Sequence, residues 1–174
     1  KIGILLMMQM GLRIGEVCGL QWQDFDLDKG ILSVRRTVKR IYVENQRTKV
    51  VVQSPKTATS ERAIPIPRKI LSLVYQLHNS QSPHTWFLSS QEAKPVEPRC
   101  YSKSIHCYLK HAQVSSVHPH ALRNKFATTC LQNGCNVKTL SEIMGHASSD
   151  ITMKLYVHTC WEWKRAEIER IFNN

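Results

Sequence analysis

The sequence contains no long apolar run and no convincing secretory signal. Its apolar stretch at residues 2–10 is interrupted by Gln9. That stretch is much shorter than the roughly 20 residues that a membrane-spanning helix needs, and no small-residue cleavage site follows it. The sequence therefore predicts no membrane partner and a cytoplasmic location. Because the chain begins inside what reads as a helix, we expect a fragment whose N-terminal domains are missing.

The sequence also lacks C-x-x-C pairs, internal repeats and low-complexity tracts. Six cysteines are scattered over 174 residues of ordinary apolar content, so we expect reduced cysteines rather than a disulfide scaffold. Zinc is the sharper alternative, because five possible ligands lie close together in the sequence: His106, Cys107, His111, His118 and His120. No two pairs of them have the spacing of a structural zinc site. We predict neither a metal nor another cofactor.

Acidic residues are scarce beside basic ones, and the excess is unevenly distributed. The chain has 24 Lys+Arg against 13 Asp+Glu, a net charge of +11. Residues 31–70 carry +8 and residues 99–125 carry +5. A generally basic protein is the alternative, but two basic blocks favour a polyanion such as DNA, whose phosphates release counterions when neutralised. The predicted DNA contacts from these blocks are Arg35, Arg36, Lys39, Arg40, Arg62, Lys103 and Lys125.

Hydrophobic periodicity predicts one domain of the α+β class, mainly helical, over residues 1–174. Helical patterns cover 2–10, 68–80, 99–111, 119–133, 137–144, 149–157 and 162–172, and "RIGEVCGLQWQDFD" also has near-helical spacing. Ser148 or Ser149 is a plausible N-cap. Three β-rich stretches, "ILSVRRTVKRIYV", "TKVVVQ" and "RAIPIP", predict a small three-stranded antiparallel sheet. Pro65 and Pro67 place the third strand at an edge, and "WFL" reads as a further short strand.

Four separated stretches carry residues suited to phosphoryl transfer. They are "GLRIGEVCGLQW" with Arg13, "SPKTATSERAIPI" with Lys56, "HPHALRNKFAT" with His120 and Arg123, and "MGHASSDITMKLYVH" with His146 and Tyr156. Each residue alone has an ordinary structural explanation. Together they supply planar arginine donors for phosphate oxygens, groups able to act as acid and base, and a tyrosine nucleophile whose phenolate cations could stabilise.

With these motifs the chain resembles the catalytic domain of the tyrosine recombinases, the phage-integrase family, and especially the integrases of mobile elements. The family's motifs occur in order: G-L-R-x-G-E around Arg13, K-T…S-x-R from Lys56, H-x-L-R from His120 to Arg123, G-H at Gly145–His146, and Y-x-H from Tyr156. One position departs from the pattern. Asn124 stands where the family often has a second histidine, which is not among its catalytic residues.

The resemblance implies a mechanism without metal or ATP. Tyr156 would attack a scissile phosphate of double-stranded DNA and form a 3′-phosphotyrosyl bond. Arg13 and Arg123 would bind the non-bridging oxygens with help from His146. Lys56 would protonate the leaving 5′ oxygen, and His120 would exchange a proton with the tyrosine.

The resemblance also implies an assembly and a setting. The apolar residues of the final segment would form a helix donated to a neighbour in a homo-tetramer on attachment-site DNA; they are Trp161, Trp163, Ile168, Ile171 and Phe172. The alternative is packing within the chain. The enzyme would act at the nucleoid of a bacterial or phage-infected cell. Two other functions stay open: a type IB topoisomerase, and a non-catalytic basic DNA-binding module.

Overall fold

The computed structural model describes residues 1–43, 48–54, 61–78, 81–115, 117–146 and 148–156, with positions 165, 168–169 and 171–172; at 151 and 154–156 the description is of the backbone. The helices are α1 (Ile2–Met10), α2 (Ile14–Cys18), α3 (Arg68–Leu77), α4 (Pro98–His111), α5 (Pro119–Gln132), α6 (Val137–Met144) and α7 (Ser149–Tyr156). The strands are β1 (Phe25–Asp26), β2 (Ile31–Val34), β3 (Thr37–Tyr42), β4 (Thr48–Gln53) and β5 (Arg62–Pro65).

The strands form two separate antiparallel sheets. One has the order β1-β2-β5, and the other is the β3–β4 hairpin. Leu32 is the centre of the first sheet, because it lies opposite Phe25 on one side and Ile64 on the other. All three side chains are buried, so one face of this sheet covers the core while β5 lies at an edge.

Local sequence signals explain where the helices of the C-terminal half begin and end. Pro98 and Pro119 occupy the first positions of α4 and α5, where a missing N–H costs no hydrogen bond. Asn136 caps α6 through its side-chain oxygen, and Ser148 accepts the Asp150 N–H at the start of α7. Gly145 ends α6 in the left-handed conformation, with φ 62°.

The core lies where the helices meet the β1-β2-β5 sheet. Residues of α1, α2, α3 and α4 pack with Leu32, Val34 and Ile64, and Leu6, Leu12 and Ile105 are among the fully buried members. A smaller cluster joins α5 to α6 through Phe126, Ala127, Leu140 and Met144. Helix α1 packs on α5, and α6 packs on both β5 and α7. These contacts bring the ends of α1, α5 and α6 together.

The predicted fold class, α+β and mainly helical, is confirmed, but the strands are partitioned differently. The stretch predicted as one strand is divided at Arg35–Arg36 into β2 and β3, because Arg36 leaves the ladder to bind Asp24. The three-stranded sheet takes β1 as its third member, a two-residue strand too short to read from the pattern. The prediction of a strand at "WFL" is wrong, because within the described residues Trp86 forms isolated β-bridges to Gln21 and Gln91 rather than a ladder. The edge position of β5 is confirmed.

The α2 prediction was too long, because the helix ends at Cys18 and a short 3-10 turn covers Trp22–Asp24. The predicted helices at 2–10, 119–133, 137–144 and 149–157 match α1, α5, α6 and α7 to within one residue. Most of the predicted 162–172 helix falls outside the described residues. None of the helices among the described residues has both the length and the apolar character needed to cross a membrane.

Candidate functional site

A cleft of about 620 Å³ opens between α2, β3 and the N-termini of α4 and α5. Arg13, His120 and Arg123 all line it. The remaining walls combine apolar residues such as Leu12 and Ile14 with charged ones, Lys39 and Arg40 among them. The fold thus brings three of the predicted catalytic residues, from two distant parts of the sequence, to one concave surface.

Arg123 is the most buried charged side chain of the site, with 1% of it exposed. Its Nη1 donates to the carbonyl of Gly11, which ends α1. Its Nη2 donates to the carbonyl of Met144 at 2.7 Å, near the end of α6. The guanidinium is therefore fixed by two helix C-termini, whose carbonyls carry partial negative charge.

Arg13 lies beside the same end of α6. Its Nη2 donates to the carbonyl of Gly145 at 3.2 Å, one residue beyond the carbonyl that Arg123 binds. Its Nη1 donates to Glu16 at 2.8 Å, and 39% of its side chain is exposed. The two guanidiniums are thus neighbours, and Arg13 is the more accessible.

A buried carboxylate, Glu16, lies at the base of this pair. It also accepts two bonds from Arg62, whose Nε donates to the carbonyl of Ile143 at 2.6 Å. Burial alone would raise the pKa of Glu16, but the hydrogen bond and charge of Arg62, together with Arg13, hold it below its ordinary value. Glu16 is therefore an anion that partly balances three arginines, with Arg123 at 3.9 Å.

His146 follows Gly145 and contacts Arg123. Its Nε2 lies 3.1 Å from Arg123 Nη2, and its Nδ1 lies 2.8 Å from Thr152 Oγ1 on α7. Burial lowers the pKa of His146 to about 4, and the charges of Arg123 and Arg13 act in the same direction. The ring is therefore neutral near pH 7.

His120 lies in the first turn of α5, one helical turn before Arg123. Its backbone N–H donates to His118 Nδ1 at 3.2 Å, which caps the helix. Burial and the neighbouring charge of Arg123 lower the pKa of His120. A neutral imidazole at the rim of a cationic cleft can accept a proton from a reacting group.

The other two predicted catalytic residues are only partly placed. Tyr156 is the last residue of α7, one turn after Thr152, but its side chain lies outside the described residues. Lys56 also lies outside the described residues, so its predicted place in a turn between strands stays a prediction.

The predicted DNA contacts divide into two groups. Arg35, Lys39, Lys103 and Lys125 are exposed, as a phosphate contact requires. The side chain of Arg62, by contrast, is only 6% exposed and binds Glu16. Arg36 and Arg40 are also engaged, Arg36 with the buried Asp24 and Arg40 with Glu97 through two bonds of 2.6 Å and 2.8 Å. In this structure the guanidinium groups of all three arginines form ion pairs within the chain.

Sequence reasoning missed the parts played by Glu16 and Thr152. A signal for Glu16 existed: it stands three residues after Arg13 at a helix start, the spacing of a capping box. Thr152 has no comparable signal, because only the fold brings it to His146. Within the described part of the chain, no three His, Cys, Asp or Glu residues are grouped so as to hold a metal ion.

The chain is similar in sequence to proteins named as tyrosine recombinases. The chain is 28% identical to a tyrosine recombinase XerC-like protein of Caldanaerobacter subterraneus subsp. tengcongensis over 98% of this chain and 48% of that protein. It is 31% identical to tyrosine recombinase XerC of Myxococcus xanthus over 87% of this chain and 47% of that protein. The chain thus spans about half the length of the curated relatives it matches.

Solved structures share the fold. The Tn1549 transposon integrase, in complex with transposon right end DNA, superimposes with a TM-score of 0.76 at 25% identity, over 98% of this chain and 58% of that one. The XerA recombinase gives a TM-score of 0.68 at 23% identity, over 96% and 56%, and shows the fold alone. The sequence model described as the phage integrase family matches residues 1–161. This chain belongs to the phage integrase family.

Proposed function

We propose that this chain is the catalytic domain of a tyrosine site-specific DNA recombinase. The observation that carries the proposal is the pairing of Arg13 and Arg123 on the adjacent carbonyls of Gly145 and Met144. His120 and His146 lie beside this pair, and the helix that ends at Tyr156 packs against α5 and α6. Relatives named as tyrosine recombinases and integrases support the same function.

The arginine pair would bind one phosphodiester of DNA. Guanidinium groups donate along two parallel N–H bonds, which suits the two non-bridging oxygens of a phosphate. Both side chains are already oriented by carbonyls, so little reorganisation is needed when charge develops on the phosphoryl oxygens. Arg13, the more accessible, would meet the DNA first.

The proposed chemistry is two successive transesterifications. The Tyr156 oxygen attacks phosphorus, its proton passes to His120, and the bond between phosphorus and the 5′ oxygen breaks. Lys56 gives a proton to that oxygen, which leaves as a 5′-hydroxyl. In the second step a 5′-hydroxyl gives its proton to Lys56 and attacks the phosphotyrosine, and Tyr156 leaves with the proton returned by His120. One phosphodiester is exchanged for another at each step, so no ATP is needed, and the arginines supply the positive charge for which other phosphoryl-transfer enzymes use a metal.

Trapping of the covalent intermediate tests this proposal. The full-length protein is incubated in EDTA with nicked suicide DNA that carries the element's ends, beside Tyr156→Phe, and both are run on a denaturing gel. We expect a protein–DNA adduct with Tyr156 only. DNA binding without any adduct would overturn the proposal in favour of a binding module. Relaxation of supercoils lacking paired target sites would favour a topoisomerase.

We also propose an assembly and a wider context for the domain. Ile168, Ile171 and Phe172 are each more than half exposed, which supports a C-terminal segment that docks on a neighbouring protomer in a homo-tetramer on DNA. The remaining length of the relatives supports separate DNA-binding domains outside residues 1–174. Such an enzyme would act at the nucleoid, in the cytoplasm. Sedimentation of DNA complexes of wild type and Phe172→Asp tests the assembly, and a wild-type complex smaller than four protomers would contradict it.

A further inference from the structure

The hydrogen bond between His146 and Thr152 is a direct polar link between the phosphate site and α7. The two atoms, His146 Nδ1 and Thr152 Oγ1, are 2.8 Å apart. Thr152 is fully buried. Burial of a hydroxyl costs free energy unless the hydroxyl forms a hydrogen bond. It lies four residues before Tyr156, so both stand on the same side of α7.

The chemistry of the partners fixes the protons on this ring. A guanidinium can only donate hydrogen bonds, so the contact with Arg123 Nη2 at 3.1 Å makes His146 Nε2 an acceptor. The proton of the neutral ring is then on Nδ1, which donates it to Thr152 Oγ1. A threonine hydroxyl can donate or accept, so the Arg123 contact sets this tautomer, and Thr152 Oγ1 stabilises it as the acceptor of Nδ1–H.

We propose that Thr152 is a positioning residue of the recombination site: it holds His146 in the Nδ1–H tautomer with Nε2 facing Arg123, and thereby ties the seating of the tyrosine-bearing helix to assembly of the phosphate site. This inference rests on the proposed function. It goes beyond the proposed function in assigning a role to Thr152, a buried residue outside the predicted catalytic set.

The hydrogen bond between His146 and Thr152 makes the orientation of the His146 ring depend on the position of α7. If α7 moves away, Nδ1–H loses its acceptor, and the ring can turn or change tautomer so that Nε2 no longer receives the Arg123 bond. When α7 is in the position seen here, Thr152 accepts the Nδ1–H bond and His146 Nε2 stays hydrogen-bonded to Arg123. The nucleophile and the phosphate clamp are thus in position at the same time, since proximity contributes to rate only when both partners are oriented.

Replacement of the hydroxyl tests the inference. Thr152→Val keeps the shape of the side chain and removes the acceptor, whereas Thr152→Ser keeps the hydroxyl. We expect Thr152→Val to slow formation of the Tyr156-dependent adduct by roughly tenfold to a hundredfold, as the loss of a buried hydrogen-bond partner implies. Thr152→Ser should keep most of the wild-type rate. Thr129→Val, at an exposed position of α5, controls for the loss of any helical threonine hydroxyl.

A second readout separates positioning from folding. Imidazole 15N shifts of the full-length protein, labelled at histidine, report which nitrogen of His146 carries the proton. Wild type and Thr152→Ser should show Nδ1–H, and Thr152→Val should show a shift toward Nε2–H. An unchanged tautomer in folded Thr152→Val, or a wild-type rate for that variant, would overturn the inference. If the wild type forms no adduct at all, the proposed function fails, while the 15N spectra still decide whether Thr152 stabilises the tautomer.

Discussion

Arg62 binds the carboxylate of Glu16 with both terminal nitrogens, at 3.1 Å and 3.0 Å, underneath the two arginines of the proposed phosphate site. Both side chains are 6% exposed. Through Arg62 Nε and the carbonyl of Ile143, the same pair joins β5 to α6. Glu16 also holds Arg13 by its Nη1 and by its backbone N–H. The position of Arg13 therefore depends on an ion pair that does not face the cleft.

Removal of the Glu16 charge should destabilise the protein strongly. In Glu16→Gln the buried Arg62 keeps its charge without an anion, and breaking a buried pair in this way costs about 3 kcal/mol or more. Urea denaturation measures the loss of unfolding free energy. The matched control is Glu169→Gln in the exposed pair with Arg165, where we expect a loss of about 0.5 kcal/mol or less. Equal losses in the two variants would show that the Glu16 pair contributes no more than a surface pair.

Gly145 is required by both its conformation and its neighbour. Its φ is +62°, and a Cβ at this position would lie 2.8 Å from Arg62 Nη1. Gly134 has φ +78° with nothing within 4 Å of a Cβ, so Gly134→Ala should lose only the roughly 1–2 kcal/mol of left-handed strain. We expect Gly145→Ala to lose more, and to reduce adduct formation as Arg62 and the carbonyl that binds Arg13 shift. Thermal unfolding and suicide-DNA trapping of both variants measure this, and identical behaviour would contradict it.

Much of the fold followed from local signals in the sequence. Gly11, Pro119, Asn136 and Gly145 end or begin helices where their chemistry predicts, because caps act within a few residues. The division of the sheet could not be predicted in this way. Whether the Arg35–Arg36 stretch continues a strand depends on Asp24, whose carboxylate is brought to Arg36 by the tertiary fold.

The site was predictable as a set of residue types but not as a set of contacts. Arg13, His120, Arg123 and His146 were named from motifs, and the structure brings them to one region. Charge alone could not separate Lys39, which is exposed, from Arg62, which is buried. That distinction depends on a carboxylate 46 residues away in sequence, and sequence composition carries no record of such a pairing.

The stability of the protein should fall in mild acid because of His146. Its folded-state pKa is depressed to about 4, whereas an unfolded histidine titrates near 6.5. Between about pH 6.5 and pH 4 the unfolded state binds a proton that the folded state does not, so unfolding free energy declines as pH falls through this window. His146→Gln should flatten that decline. Urea denaturation from pH 7.5 to pH 4.5 measures the two slopes, and parallel curves would contradict the assignment.

The Glu16 carboxylate should add a second loss at lower pH. Its folded pKa is depressed, so its stabilisation is present above the pKa of the unfolded glutamate and is lost as pH falls through the folded value. The His146→Gln protein keeps this lower decline, and Glu16→Gln lacks it. Urea denaturation of both variants, extended below pH 4.5, thus separates the two titrations.

Lys39 should contribute to DNA affinity through phosphate charge rather than base recognition. It is exposed, lines the cleft beside Arg13, and has no carboxylate partner among the ion pairs of the described residues. Lys39→Ala should weaken binding to specific and random DNA by similar factors, and should lower the slope of log affinity against log salt by about 1. Fluorescence anisotropy from 50 to 200 mM salt, about the range over which counterion release is evident, measures both. Lys29→Ala is the matched control, because Lys29 is exposed, pairs with Asp26 and does not line the cleft. A slope unchanged by Lys39→Ala, or lowered equally by Lys29→Ala, would show that the cleft is not where this surface meets the phosphate backbone.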